Sequence, residues 1–272
     1  MFVRTFLAIV LALPASPALA LLCDGGQRAE YLLAELSGAA TETPITAHIT
    51  IGCGDNLAQI RYAAGNGVIQ ARLRQGPQGA VLEEEGGGRW NLRSSYHLWT
   101  GQWSDGKRSY PVLARIAPPF EKPPKELAGT LRHHHTINVL DGQQWVPSKV
   151  TDVLSMTPMA NGFVKVSLEA VFENAHQCSL GGPAVYGSGR LVMVRGGERS
   201  ETRGKDTVFV PDACVVQFEF LDGKTMVKLD SAGAEACRQF CGARGYLDGL
   251  EFSKEPPPQP KKGRAAQGAA RK

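Results

Sequence analysis

The stretch Val164-Lys165-Val166-Ser167-Leu168-Glu169-Ala170-Val171-Phe172 decides the fold class. Val164, Val166, Leu168, Ala170 and Phe172 recur at every second position, against Lys165, Ser167 and Glu169. A period of two sorts side chains onto opposite faces of an extended strand. A helix instead needs apolar residues three and four apart. The pattern returns in Cys214, Val216, Phe218 and Phe220 against Gln217 and Glu219. It appears again in Ile45, Ala47, Ile49 and Ile51, and in Ile69, Ala71 and Leu73 against Gln70, Arg72 and Arg74. Turn signals lie between such runs: Gly65-Asn66-Gly67, Gly86-Gly87-Gly88, Asp105-Gly106 and Asp222-Gly223. The sequence therefore predicts an all-β protein whose antiparallel sheets, barrel- or sandwich-like, are wet on one face. Tyr31 to Leu36 fits a strand or a short helix, because Leu32, Leu33 and Leu36 suit both. Ala232 to Phe240 reads as a short helical turn.

Working outward, proline divides the chain. Ala117-Pro118-Pro119-Phe120-Glu121-Lys122-Pro123-Pro124 reads as a stiff linker over 118–124. Two small antiparallel β domains are expected on either side, over 21–117 and 125–254. Residues 1–20 read as a secretory signal peptide: Arg4, an apolar run from Phe6 to Leu13, then Ala18-Leu19-Ala20. That run is far shorter than the roughly 20 apolar residues of a membrane span. Leu22 precedes Cys23 where lipid attachment needs a small residue. The expected location is periplasmic or secreted. Glu255-Pro256-Pro257-Pro258-Gln259-Pro260 opens a basic tail, 255–272, whose composition predicts disorder.

The net charge of +4 belongs to the ends. Arg4 supplies one cation, and Lys261, Lys262, Arg264, Arg271 and Lys272 supply five more. Between them, 21–254 holds 24 cations and 25 anions. A neutral body gives no ground for nucleic-acid binding. Only the tail is a candidate for touching an anionic membrane surface.

All six cysteines, Cys23, Cys53, Cys178, Cys214, Cys237 and Cys241, lie beyond the signal segment. An even count in an exported chain predicts disulfides. Cys23 with Cys53 is the expected first pair. Cys237 and Cys241 are expected to reach back to Cys178 and Cys214, in either order, because a bond between them would close too small a loop to stabilise much.

The segment Trp99-Thr100-Gly101-Gln102-Trp103-Ser104-Asp105-Gly106-Lys107, followed by Tyr110-Pro111-Val112-Leu113, resembles the closing hairpin of a small β domain of exported proteobacterial proteins. The likeness covers about 31–116. Asn174-Ala175-His176-Gln177-Cys178-Ser179-Leu180-Gly181-Gly182 and the run from Cys237 to Gly249 resemble uncharacterised periplasmic β domains, loosely similar to periplasmic lysozyme inhibitors. The resemblance implies a disulfide-held β barrel outside the cytoplasm. Ser37-Gly38-Ala39-Ala40 departs from the Ser-Gly-x-x-Tyr loop of those inhibitors.

Candidate site residues are few. In His133-His134-His135, the outer two share a strand face and make a candidate Zn or Cu pair, with His97, His176 or an acidic residue as a third ligand. Trp99 and Trp103, at even spacing, are candidates for a sugar-stacking face, with at least one of them expected in the core. Arg244 and Tyr246 are candidates for holding a partner. Glu83-Glu84-Glu85 reads as a solvated strand end. Gly101 to Lys107 imitates a phosphate loop, but Arg108 stands where Ser or Thr is needed. No catalytic acid, base or nucleophile set assembles in the sequence, and no resident cofactor is implied. The leading expectation is a non-enzymatic binding protein of the cell envelope, with a protein or glycan partner, lysozyme-inhibitor-like being one version. The alternative is a metal-binding protein or metal-dependent hydrolase using His133 and His135.

Overall fold

The computed structural model describes residues 29–37, 43–76, 79–95, 98–241 and 245–254. The expected signal segment, Cys23, the basic tail, His97 and Arg244 lie outside them. Within them the chain is almost entirely antiparallel β, as the alternation predicts. The first eight strands are β1 Ala29–Leu36, β2 Ile45–Gly52, β3 Leu57–Tyr62, β4 Val68–Gly76, β5 Gly79–Glu84, β6 Arg89–Ser95, β7 Leu98–Ser104 and β8 Ser109–Ile116. Each pairs with the next, and β1 pairs with β8 from Leu32↔Ile116 to Leu36↔Val112, closing an up-and-down barrel. Eight strands leave just enough interior for side chains. Leu32, Ile49, Ile60, Leu82 and Trp90 fill it.

The second barrel comprises β9 Gly129–Asp141, β10 Gln144–Pro158, β11 Val164–Phe172, β12 His176–Gly187, β13 Arg190–Arg203, β14 Asp206–Leu221, β15 Lys224–Leu229 and β16 Glu251–Ser253. Its interior is also solid, packed with Leu168, Met193, Val216, Phe218 and Phe252. Two features distinguish it. Its closure runs through the short β16, paired to β15 at three positions and to β9 at Ser253↔Arg132. Its β12 and β13 pair only from Val185↔Val192 to Gly187↔Arg190, and then part. The turn expected before Phe240 is a 3-10 helix, Glu235–Phe240, packed against β12, β13 and β14.

Two disulfides fix that turn. Cys214–Cys237 ties it to β14, and Cys178–Cys241 ties its end to β12. Cys53 is also disulfide-bonded; its expected partner Cys23 lies outside the described residues. Disulfides of this kind persist in oxidising compartments, which places the chain outside the cytoplasm. Among the described residues no helix is long and apolar enough to cross a membrane.

The Pro-rich linker segment lies against both barrels. The Pro-rich segment is a strap: Ala117 and Pro118 are buried, and Phe120 packs edge-on against Phe163 of the second barrel. Around it a third apolar cluster joins the outer faces of both barrels, with Leu33 from the first and Val192, Val194, Ala213 and Val215 from the second. Sheets wet on one face are therefore only part of the fold. Where the barrels dock, strands are buried on both faces, and the sequence shows this as unbroken apolar runs, Leu32-Leu33-Ala34 and Leu191-Val192-Met193-Val194. The same burial settles Tyr31 to Leu36 as a strand.

Polar groups complete the joint. Arg115, 2% exposed, reaches from β8 to Asp230 at 2.7 Å and Asp212 at 3.8 Å. Glu35 accepts from Arg195 at 2.7 Å and from the backbone N–H of Gly196 at 2.7 Å. The Asn161 side-chain amide donates to the carbonyls of Tyr62, Ala63 and Gly65. Removing one member of a buried ion pair strands its partner at a cost of about 3–5 kcal/mol. Arg115→Ala is expected to lower the unfolding free energy by that amount in urea titrations, and a loss below about 1 kcal/mol would show the pairing to be dispensable.

Candidate functional site

Because both barrels are solid, concave surface arises only where elements meet. One cavity, about 870 Å3, is a cleft between the rim of the first barrel and the β13–β14 arm. Arg195, Gly196, Gly197, Glu198 and Arg199 all line it. A strand presenting a face would contribute alternate residues, so β13 presents its edge. That edge has no strand partner beyond Val192 because β12 has parted from β13. Gly196 has both backbone groups turned away from β14: its N–H goes to Glu35 and its carbonyl accepts from Gln239. The N–H of Ser200 is likewise taken by Glu235. By the antiparallel alternation, Glu198 and Thr202 share this outward orientation. Leu98, Val112 and Leu113 line the opposite wall, with Phe240 between. Of the cleft's charges, Glu35 pairs with Arg195 and Glu201 with Arg199 and Arg203, while Glu198 has no ion pair among the described residues.

A second, smaller cavity of about 240 Å3 lies beneath the strap. Its floor is the outer face of β1 to β4, where Tyr31 stands opposite Thr50, Thr50 opposite Gln59, and His48 opposite Arg61. Pro119 and Phe120 close it from above. His48 is 1% exposed and its Nε2 lies 3.1 Å from the Pro118 carbonyl. A carbonyl only accepts, so Nε2 carries the proton and Nδ1 is the bare acceptor of a neutral ring. Burial favours that neutral form and, against the Pro118 hydrogen bond and helped by the Arg61 charge, brings the pKa down to about 4. The Arg61 guanidinium sits 4.6 Å over the Phe120 ring.

The residues singled out from sequence are mostly spent on structure. His133 and His135 do share a face, with ring centroids 5.0 Å apart. His133 Nδ1, however, lies 2.8 Å from the Glu251 carbonyl, and His135 Nε2 lies 3.1 Å from Asp152. Asp152 is buried and accepts the Val171 N–H at 2.8 Å. Among the described residues no three His, Cys, Asp or Glu side chains are grouped to hold a metal ion. Trp99 and Trp103 share a face too, but it is the inner one. Trp99 is 4% exposed in the first barrel's core. Trp103 stacks on Tyr110 and donates Nε1–H to Glu84 at 3.2 Å. Neither offers a stacking face to a sugar. Tyr246 is exposed, with its ring 5.2 Å from Phe172. Glu84 corrects the reading of a solvated acidic run. One oxygen accepts from Trp90, Trp103 and Tyr62, and burial together with this carboxylate raises the Tyr62 phenol pKa.

No family model, curated protein or solved structure matches the chain significantly. The likeness to lysozyme inhibitors rests on the quoted residues alone.

The lowered His48 pKa links stability to pH. Above the unfolded value of 6.5 the ring is neutral in both states and contributes nothing pH-dependent. Below it the unfolded chain takes up a proton that the folded ring refuses until about pH 4, so acid favours unfolding. About 3 kcal/mol should be lost between those limits. His48→Gln keeps a donor for Pro118 without titrating, and its urea-unfolding free energy should fall correspondingly less over that range.

Proposed function

We propose that the chain is a non-enzymatic binding protein of an extracytoplasmic, envelope compartment, holding an extended segment of a protein partner in the cleft between its barrels. The observation that carries this reading is the edge of β13 along the cleft, which has no strand partner beyond Val192. An exposed edge is a template for one more strand, with main-chain hydrogen bonds supplying affinity and side-chain pockets supplying selectivity. The charge balance argues for the kind of segment. With Glu35, Glu201, Arg195, Arg199 and Arg203 paired among themselves, an uncharged stretch loses least on entering. Leu98, Leu113 and Phe240 give its apolar side chains a surface. The disulfide wedge supports the reading, since it holds β13 apart from β12 and keeps the edge open. A lysozyme-inhibitor-like role is one version of this function, and stoichiometric loss of lysozyme activity would identify the partner.

Proline tests the edge directly. At Glu198, which lines the cleft, the N–H points away from β14, so proline removes a donor from the cleft without breaking the β13–β14 ladder. The Glu198→Pro chain is expected to keep the wild-type circular dichroism spectrum and Tm. It should lose the envelope proteins that the wild type captures, by about tenfold or more. Capture of the same proteins by both chains would sink the proposal.

A further inference from the structure

The structure assigns a second site: the cavity under the strap, framed by Tyr31, His48, Thr50, Gln59, Arg61 and Phe120, is a subsite for one acidic, hydroxyl-rich sugar residue. It goes beyond the cleft reading and does not depend on it. Each requirement on the ligand comes from a separate feature of the cavity.

Size comes first. At about 240 Å3 the space falls below the roughly 300 Å3 at which pockets begin to hold drug-sized ligands. It suits a single ring and is too small for a peptide strand. Charge comes second. Arg61 has no carboxylate within ion-pair distance among the described residues, and its guanidinium is held flat by Phe120. A fixed arginine without a counter-charge beside a cavity favours a carboxylate, which it can bind through two parallel N–H groups. Hydrogen-bond polarity comes third. His48 lines the cavity, and its Nδ1 has no hydrogen-bond partner among the described residues. Because the Pro118 carbonyl fixes the tautomer, Nδ1 only accepts. A bare carboxylate would be repelled there, whereas a hydroxyl donates. The ligand must therefore carry both an acid and a hydroxyl. Thr50 and Gln59 offer further donors and acceptors for neighbouring hydroxyls. Tyr31 and Phe120 bring aromatic rings to the walls, suited to the apolar face of a sugar ring.

A uronic acid combines these properties, and D-glucuronate is the probe. The full-length, 15N-labelled protein is titrated with glucuronate, with acetate as the charge-only control and methyl glucoside as the hydroxyl-only control. The expected result is a Kd of about 1 mM or tighter for glucuronate, at least about tenfold tighter than either control. Amides of Thr50, Gln59 and Arg61 should shift, and the His48 Nδ1 resonance should move as a hydroxyl donates to it. Arg61→Gln should weaken glucuronate by about tenfold, and Thr50→Val by a smaller factor with the fold unaltered. Equal binding of acetate and glucuronate would overturn the inference by reducing the site to an anion contact. Absence of shifts at saturating probe, or an unmoved Nδ1 signal in the bound state, would overturn it as well.

Discussion

The placement of the two barrels depends on how Arg115 is held. A charged side chain on the outside of a barrel belongs in water, yet here it is 2% exposed, between Asp212 and Asp230 of the other barrel. Removing a guanidinium from water costs several kcal/mol unless opposite charges and hydrogen bonds replace the lost hydration. Asp212 is itself nearly unexposed and shares a second partner, Arg199, at 3.3 Å. The pairing therefore exists only in one relative placement of the barrels. Apolar contact between Leu33, Val194 and Val215 supplies attraction without direction; the ion pairs supply the register. Once that register is set, the cleft and the strap cavity have fixed walls.

The disulfides act on the same geometry from the opposite side. A barrel of eight strands would normally pair β12 with β13 along their length. Here the 3-10 turn Glu235–Phe240 packs where they part, and Cys241 anchors its end to β12 while Cys237 anchors it to β14, the strand paired with β13. The chain segments closed by these bonds, with sequence separations of 23 and 63, correspond to about 3–4 kcal/mol each in the loop-entropy description. An unpaired strand edge invites aggregation. This one is partly covered by its own neighbours, with Glu35, Gln239 and Glu235 taking backbone groups of Gly196 and Ser200. What stays open is short and recessed in a cleft, which separates a selective docking edge from a sticky one.

Much of the fold was legible from residue order. Alternation at Val164–Phe172 and Ile45–Ile51 marked strands because one face of each meets a packed interior. Turns at Asp222-Gly223 and Asp105-Gly106 were visible because Gly223 and Gly106 adopt positive φ, which glycine tolerates best. The docking of the barrels was less legible. Its signal was the unbroken apolar runs at Leu32–Ala34 and Leu191–Val194, which alternation treats as noise and which mean burial on both faces. The candidate sites were hardly legible at all. His48 lies in an alternating strand exactly where a solvated residue is expected, and only the strap from residues 117–120 buries it. The His133–His135 pair stands out by composition, but strand register sets Asp152 opposite His133, where its carboxylate meets His135 diagonally. Trp99 and Trp103 followed the alternation rule correctly; the rule does not say which face is inside.

The opening charge balance acquires a structural meaning. The net +4 arises from residues at the two ends, and the body between them is near neutrality. The structure shows that this neutrality is local as well as global: apart from Glu198, the charges of the cleft and the joint meet opposite charges at 2.7–3.8 Å rather than spreading over a face. Charges paired in this way do little to steer a partner over distance, so the proposed recognition in the cleft rests on backbone hydrogen bonding and shape. Arg61 has no carboxylate within ion-pair distance among the described residues, and it lines the cavity of single-ring size beside the His48 imidazole.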